Sequence, residues 1–202
     1  MRLLAAALAL ALSSPAAGAT LVRSIGVHAG SYAINGLPAA YAGSGDFKEV
    51  LLLPSNPNLV VKVFYAKIES SSPAMRLEAA AIKALEPLAI TPRLVEQGAR
   101  TIRGQEAGYL VQERVRGTTL ENRLTAGKLA HVRALFEKLR AAGLELTDTE
   151  MDFKLRENIM VGTTASGPRQ AYLVDPSFKA TDKTEAELRA FYDGLFTRIA
   201  GR

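Results

Sequence analysis

Gly43-Ser44-Gly45-Asp46-Phe47-Lys48-Glu49-Val50, continuing through Pro54-Ser55-Asn56-Pro57-Asn58 to Leu59-Val60-Val61-Lys62-Val63-Phe64-Tyr65, is the stretch whose reading decides the fold. Residues 49–53 open a β-rich segment. Two prolines and two asparagines then supply turn chemistry. Residues 59–65 are β-branched and aromatic, so the two segments predict a hairpin. Gly43 and Gly45 let the backbone turn tightly and come close to a phosphate. The stretch is not a Walker loop, because no Gly-Lys-Ser/Thr follows. It is not a dinucleotide fingerprint, because a strand rather than a helix follows. Lys62 lies inside an apolar strand. Such a lysine serves either a solvent face or a phosphate in a cleft, and in the second case it needs a carboxylate to hold it. Glu78 is the first candidate for that carboxylate and Glu69 the second.

Around this hairpin the chain reads as β-rich, then one helix, then β-rich, then mainly helical. Residues 20–42 carry few charges and predict irregular or short extended structure. Ser70-Ser71-Ser72-Pro73 signals a helix start, with proline in the first turn. The helix is expected over 74–88, with Leu77, Ala81, Leu85 and Leu88 as its apolar stripe. Residues 94–98 and 108–115 predict two strands joined through Gly104. Gly117-Thr118-Thr119-Leu120 is read as the start of helical sequence. Residues 128–142 form an amphipathic helix with Gly143 as its stop. Residues 158–161 and 171–174 predict strands around a loop at 163–168. The last helix, over 184–199, carries Thr184 and Glu187 at capping-box spacing. This order gives an α+β chain with a seam near 112–118.

The 202 residues suit one domain or two small lobes. A hydrophobic share of 48% against 22% charged is enough to bury a core. There is no cysteine, which excludes disulfides, thiolate metal sites and thiol catalysis. His28 and His131 stand far apart without partners in sequence, so neither a histidine base nor a histidine metal site is expected. The formal charge of +5 admits an anionic partner, but the basic residues are scattered rather than blocked. Met1-Arg2, an apolar run over 3–12 and Ala17-Gly18-Ala19 have the make-up of a secretory signal peptide, with cleavage expected before Thr20. That run is too short to span a bilayer.

Asp152, Asn158 and Asp175 are the remaining oxygen-rich set. Two carboxylates and an amide suit Mg²⁺, a hard cation that prefers oxygen ligands and keeps its waters. Asp175 follows the apolar run Ala171-Tyr172-Leu173-Val174, and Asn158 directly precedes Ile159-Met160-Val161. Both are therefore expected at strand edges, where ligands bind.

Taken in order, these fragments resemble the protein-kinase superfamily over about residues 40–178. Gly43 to Val50 is similar to the kinase glycine-rich loop, Val61-Lys62 to its lysine strand, and Glu78 to the helix partner. Leu110-Val111-Gln112-Glu113-Arg114-Val115-Arg116-Gly117 looks like the strand and hinge that hold adenine, with Gln112 as gatekeeper and Glu113 and Val115 at the hinge. Asp152 to Asn158 resembles the catalytic loop, with Lys154 placed like the lysine of Ser/Thr kinases. Asp175 matches the metal-binding aspartate. The chain departs from the family at several points. Lys48 replaces the third loop glycine, and Glu150-Met151 precede Asp152, with Asp148 a more distant alternative base. Five residues, not four, separate Asp152 from Asn158, and Pro176-Ser177 follow Asp175. No Ala-Pro-Glu segment is present.

The resemblance implies a minimal bilobal kinase-like fold: a signal peptide over 1–19, a β-rich N-lobe over 20–116 and a truncated helical C-lobe over 117–202. The resemblance is to the minimal effector kinases that bacteria deliver into host cells, and it fits them better than aminoglycoside or choline kinases. It implies ATP and Mg²⁺ as ligands and a protein substrate, with a host chaperone or a ubiquitin-pathway protein as the acceptor class. The expected roles follow phosphoryl-transfer chemistry. Lys62, held by Glu78, orients phosphates, and Gly43 and Gly45 cover them. Asn158 and Asp175 hold the metal. Asp152 accepts the hydroxyl proton, and Lys154 steadies the transferred group. The expected protein is an exported monomer without a nucleic-acid partner or membrane-inserted segment. Its rivals are a secreted pseudokinase that binds nucleotide or protein without transfer, and a basic periplasmic protein with fortuitous motifs.

Overall fold

A computed structural model describes residues 20–45, 47–65, 71–121, 124–147, 149 and 152–201. The expected signal peptide at 1–19, Glu69, Asp148 and the Asp152 side chain lie outside the described residues. The chain divides into two compact units. One takes the described parts of Met1–Ala84 with Arg93–Arg114, and the other takes Leu85–Pro92 with Val115–Arg202.

The first unit is built on a five-stranded antiparallel sheet. Its strands are β4 (Tyr41–Ser44), β5 (Lys48–Leu52), β6 (Leu59–Phe64), β7 (Leu94–Ile102) and β8 (Gln105–Glu113), in the order β4-β5-β6-β8-β7. The hairpin expected from the opening stretch is β5–β6, with Leu51 opposite Val61 and Val50 opposite Lys62. Arg103 and Gly104 both have positive φ, the two-residue turn whose twist matches the flanking strands.

Strand alternation sorts the side chains onto two faces. Leu51, Val61, Val63, Tyr109 and Val111 fill one face. Residues 20–42 include the short extended structure expected and cover that face. Strands β1 (Ile25–His28), β2 (Ser31–Ile34) and β3 (Leu37–Pro38) form a small sheet that sends Ile25 and Ile34 into the same core. Glu96 ties this segment down. Its carboxylate accepts the Leu21 amide at 2.6 Å, the Val22 amide at 3.3 Å and the Tyr109 hydroxyl at 2.6 Å. Burial, reinforced by the Glu96 contact, holds that phenol protonated well above its ordinary range.

The opposite face carries Phe64 and Leu110, and helix α1 (Ser71–Leu85) packs there through Ala79 and Ile82. The helix begins earlier than expected, and Pro87 lies in a 3₁₀ turn over Glu86–Leu88 that ends it. Its buried face also differs from the expected stripe. Leu77 is 71% exposed, whereas Glu78 is buried. The helix is rotated to put a carboxylate, not a leucine, against the sheet.

In the second unit, β9 (Arg116–Thr119), β11 (Ile159–Thr163) and β12 (Gln170–Leu173) pair in the order β12-β11-β9. Residues 117–120 are therefore not the start of a helix. Gly117 lies opposite Gly162, and the two backbones approach so closely that a Cβ on Gly117 would sit 2.1 Å from the Val161 carbonyl oxygen. Strands β10 (Leu144–Leu146) and β13 (Phe178–Ala180) form a second ladder. Helix α2 (Ala126–Ala141), capped by Thr125, buries Val132, Leu135, Phe136 and Leu139 against β11, β12 and helix α4 (Glu185–Ala200). The capping box at Thr184 and Glu187 forms as the spacing predicts. Residues Asp152–Glu157, which resemble the kinase catalytic loop, form a short helix, α3. No helix among the described residues is long and apolar enough to cross a membrane.

Two glycine substitutions test this account by denaturant unfolding. Gly117→Ala should cost ~3 kcal/mol or more, because the added Cβ meets backbone that cannot yield. Gly194→Ala, on an exposed turn of α4 with open space around it, should stabilise by ~1 kcal/mol.

Candidate functional site

The β5–β6 register places Lys48 opposite Phe64 and Lys62 opposite Val50, so the two lysines are diagonal neighbours on one face of the sheet. That is the face covered by α1, and Glu78 on the helix meets both. Lys62 donates to Glu78 Oε1 and Lys48 to Glu78 Oε2. All three side chains are nearly closed off from solvent, at 6% exposure for Lys62 and Glu78 and 10% for Lys48. The Lys48 ammonium also stands 5.6 Å from the Phe64 ring centre. Charges withdrawn from water this far survive only when paired.

Gly43 and Gly45 flank this centre. Gly43 pairs with Val50, and the Gly45 amide donates to the Lys48 carbonyl at 2.9 Å. Neither glycine has positive φ, and a Cβ on either would meet no protein atom within 4 Å. Among the described residues, nothing requires glycine at either position.

At the far end of β8, Gln112 and Glu113 are buried. The Glu113 amide donates to the Arg93 carbonyl at 3.0 Å, and its carboxylate accepts from Arg93 at 3.2 Å. The Glu113 backbone amide is thereby occupied within the sheet. Val115 is buried just beyond.

In the second unit, pairing of β11 with β12 brings Asn158 and Asp175 together. Ile159 lies opposite Leu173, and the Val174 amide donates to the Asn158 carbonyl at 2.9 Å. The Asn158 amide closes α3 on the Lys154 carbonyl at 2.9 Å. A small pocket opens here, with Leu146, Leu155 and Leu173 as its apolar floor and Asn158, Asp175 and Ser177 on its rim. Asn158 and Asp175 are half-buried. Among the described residues, no three His, Asp or Glu side chains gather as a metal cage. A cation held by Asp175 and Asn158 would complete its shell with water or phosphate oxygens, which fits Mg²⁺ rather than a metal needing a full protein cage. Asp152 begins α3, and Lys154 is half-buried on the same helix.

Lys48 is the residue that sequence reasoning did not place beside Glu78. Read as a substitute for a loop glycine, it belongs instead to strand β5. The signal for it is parity: once Val50 is set opposite Lys62, Lys48 must share the lysine's face.

With this geometry in place, the chain is similar in fold to a protein kinase. The solved structure of the Rio2 kinase–ADP/Mg²⁺–phosphoaspartate complex from Chaetomium thermophilum matches it at a TM-score of 0.52 and 18% identity, over 88% of this chain and 54% of that one. The chain thus spans about half the length of that structure. At this identity the likeness is one of fold, a mixed arrangement of β-rich sheets and a few helices. No protein-family model and no curated protein matches the sequence.

The buried ion centre makes a stability prediction. Glu78→Ala should cost ~3–5 kcal/mol in urea unfolding, because two buried ammoniums lose the carboxylate they share. The triple change Lys48→Met, Lys62→Met, Glu78→Leu should recover most of that loss.

Proposed function

We propose that this protein is an ATP-dependent phosphotransferase, a protein kinase of minimal effector type with Ser or Thr as acceptor. The observation that carries this reading is Glu78 gripping Lys62 inside the sheet-facing side of α1. A buried lysine fixed by a carboxylate suits phosphate orientation, and the kinase-like fold supports it.

In this reading the first unit is the N-lobe and the second a short C-lobe. Lys62, positioned by Glu78, neutralises the α- and β-phosphates. The amides near Gly43 and Gly45 lie along them. The Glu113 carbonyl and the Val115 backbone hold adenine, beside Gln112. Asn158 and Asp175 offer oxygen ligands to Mg²⁺. Asp152 takes the acceptor hydroxyl's proton, and Lys154 balances charge on the transferred group. Bound Mg-ATP supplies the phosphoryl group and the metal's charge neutralisation; the protein's own contribution is positioning and electrostatics.

A second acceptor is favoured by one specific observation. The Rio2 structure is a complex with ADP, Mg²⁺ and phosphoaspartate, and in this chain Asp175 lines a small pocket. In that version the phosphoryl group passes from ATP to a carboxylate of the chain itself.

We also read residues 1–19 as an export signal, which places the acceptor outside the producing cytoplasm. A host chaperone or a ubiquitin-pathway protein is then the acceptor class. N-terminal sequencing of protein recovered outside the cytoplasm should begin at Thr20; a sequence beginning at Met1 overturns the export reading.

Transfer is tested with radiolabelled ATP and Mg²⁺, with and without eukaryotic lysate. The expected result is alkali-sensitive, hydroxylamine-resistant label on one lysate protein. It should be lost by at least about a hundredfold in Asp175→Ala and on chelation of Mg²⁺. Hydroxylamine-labile label on the chain itself identifies the acyl-phosphate version. Saturable ATP binding without transfer identifies a pseudokinase, and no binding at all overturns the nucleotide reading.

A further inference from the structure

We propose that Arg156 is a positioning residue for Asn158, and that it works through the last turn of α4, so that this turn helps to hold the metal. This deepens the proposed function and rests on it, since Asn158 acts there as an oxygen ligand to Mg²⁺. The contacts all lie within the second unit. The Arg156 guanidinium donates to the Ile199 carbonyl at 2.8 Å, and the Arg156 carbonyl accepts the Leu120 amide at 3.1 Å. One residue is thus held at both ends, by the last turn of α4 and by the residue that follows β9. Two positions on, Asn158 closes α3 with its amide on the Lys154 carbonyl and leads into β11. Leu155 and Ile159, on either side, share a buried core with Ile199.

A six-residue helix is too short to hold its own shape, so α3 takes its placement from its contacts. Burial of Leu155 sets how deep α3 sits. Apolar burial is non-directional and leaves rotation about the helix axis open. A hydrogen bond from a guanidinium is directional, and the Ile199 bond fixes that rotation. Turning α3 would carry Asn158, its immediate continuation, away from Asp175 in the pocket that both line. The simpler account makes Arg156 a cap for α4. Last-turn carbonyls are open in any helix, and a cation is favoured beside them. This cap, however, comes from the stretch that ends at Asn158, so the bond that satisfies α4 also orients α3. The Arg156 Nε is buried and has no hydrogen-bond partner among the described residues. Arg156→Met therefore gives up one bond and one unmet donor together, which limits its cost to the fold.

ATP binding to the full chain, measured by calorimetry in EDTA and across a Mg²⁺ titration, separates nucleotide contact from metal contact. Arg156→Met should leave ATP affinity in EDTA within about twofold of wild type and raise the Mg²⁺ concentration for half-maximal enhancement about tenfold. Arg156→Lys, which keeps a charged donor, should recover part of that shift. Arg156→Gln should behave as the Met variant does, and it serves if the Met variant does not fold. Added to Asn158→Ala, Arg156→Met should move the Mg²⁺ dependence by less than about twofold, because the ligand it positions is gone. A cap alone gives a different pattern: a lower melting temperature with unchanged Mg²⁺ dependence, or the same shift repeated on the Asn158→Ala background. Either overturns the assignment and leaves the nucleotide reading intact. Wild-type ATP binding that ignores Mg²⁺ overturns the metal role of Asn158 and this assignment with it. If the wild-type chain binds no ATP, the nucleotide reading fails and the assignment falls too.

Discussion

One buried carboxylate organises the first unit. Glu78 has to face the sheet because two lysines wait there, and that requirement sets the rotation of α1. The helix presents Ala79 and Ile82 to Phe64 and Leu110 as a consequence, and Leu77 turns outward. Apolar area alone would have favoured burying the leucine, worth about 2 kcal/mol. The electrostatic term wins because unpaired ammoniums in that position would cost more. A helix docked by an ion pair is held in angle as well as in distance.

The second unit reaches its polar pair by a different route. Asn158 and Asp175 are fixed by backbone, through the β11–β12 ladder and the Val174 amide on the Asn158 carbonyl. Their positions therefore depend on strand register and on the Gly117–Gly162 approach that lets β9 close against β11. Substitutions far from the pocket can misplace it by disturbing that ladder. Near Glu78, by contrast, the side chains themselves set the geometry.

Much of this was legible before any coordinates. The β5–β6 hairpin announces itself because β-branched strands flank a turn with two prolines. The Glu78 partnership follows from a lysine in an apolar strand preceding a helix with one well-placed acid. Thr184 and Glu187 declare a cap locally. What stayed hidden depends on distant pairing. The turnout of Leu77 is invisible because helical periodicity counts apolar residues and gives no weight to a buried charge. The strand at Arg116–Thr119 was missed because the need for Gly117 lies in Gly162, a residue of another strand. Lys48 was missed because its meaning rests on register, which the sequence of one strand does not carry.

The tie between Glu96 and the start of the described chain has a consequence for the protein's lifetime. Leu21 and Val22 give their amides to a carboxylate on β7, and Val22 lies in the core itself. An aminopeptidase needs a few residues of loose end to thread into its active site. From Leu21 onward this chain offers none, since each further cut has to pull a bonded amide and a buried valine out of the fold. Trimming that reaches Leu21 halts at the edge of the sheet.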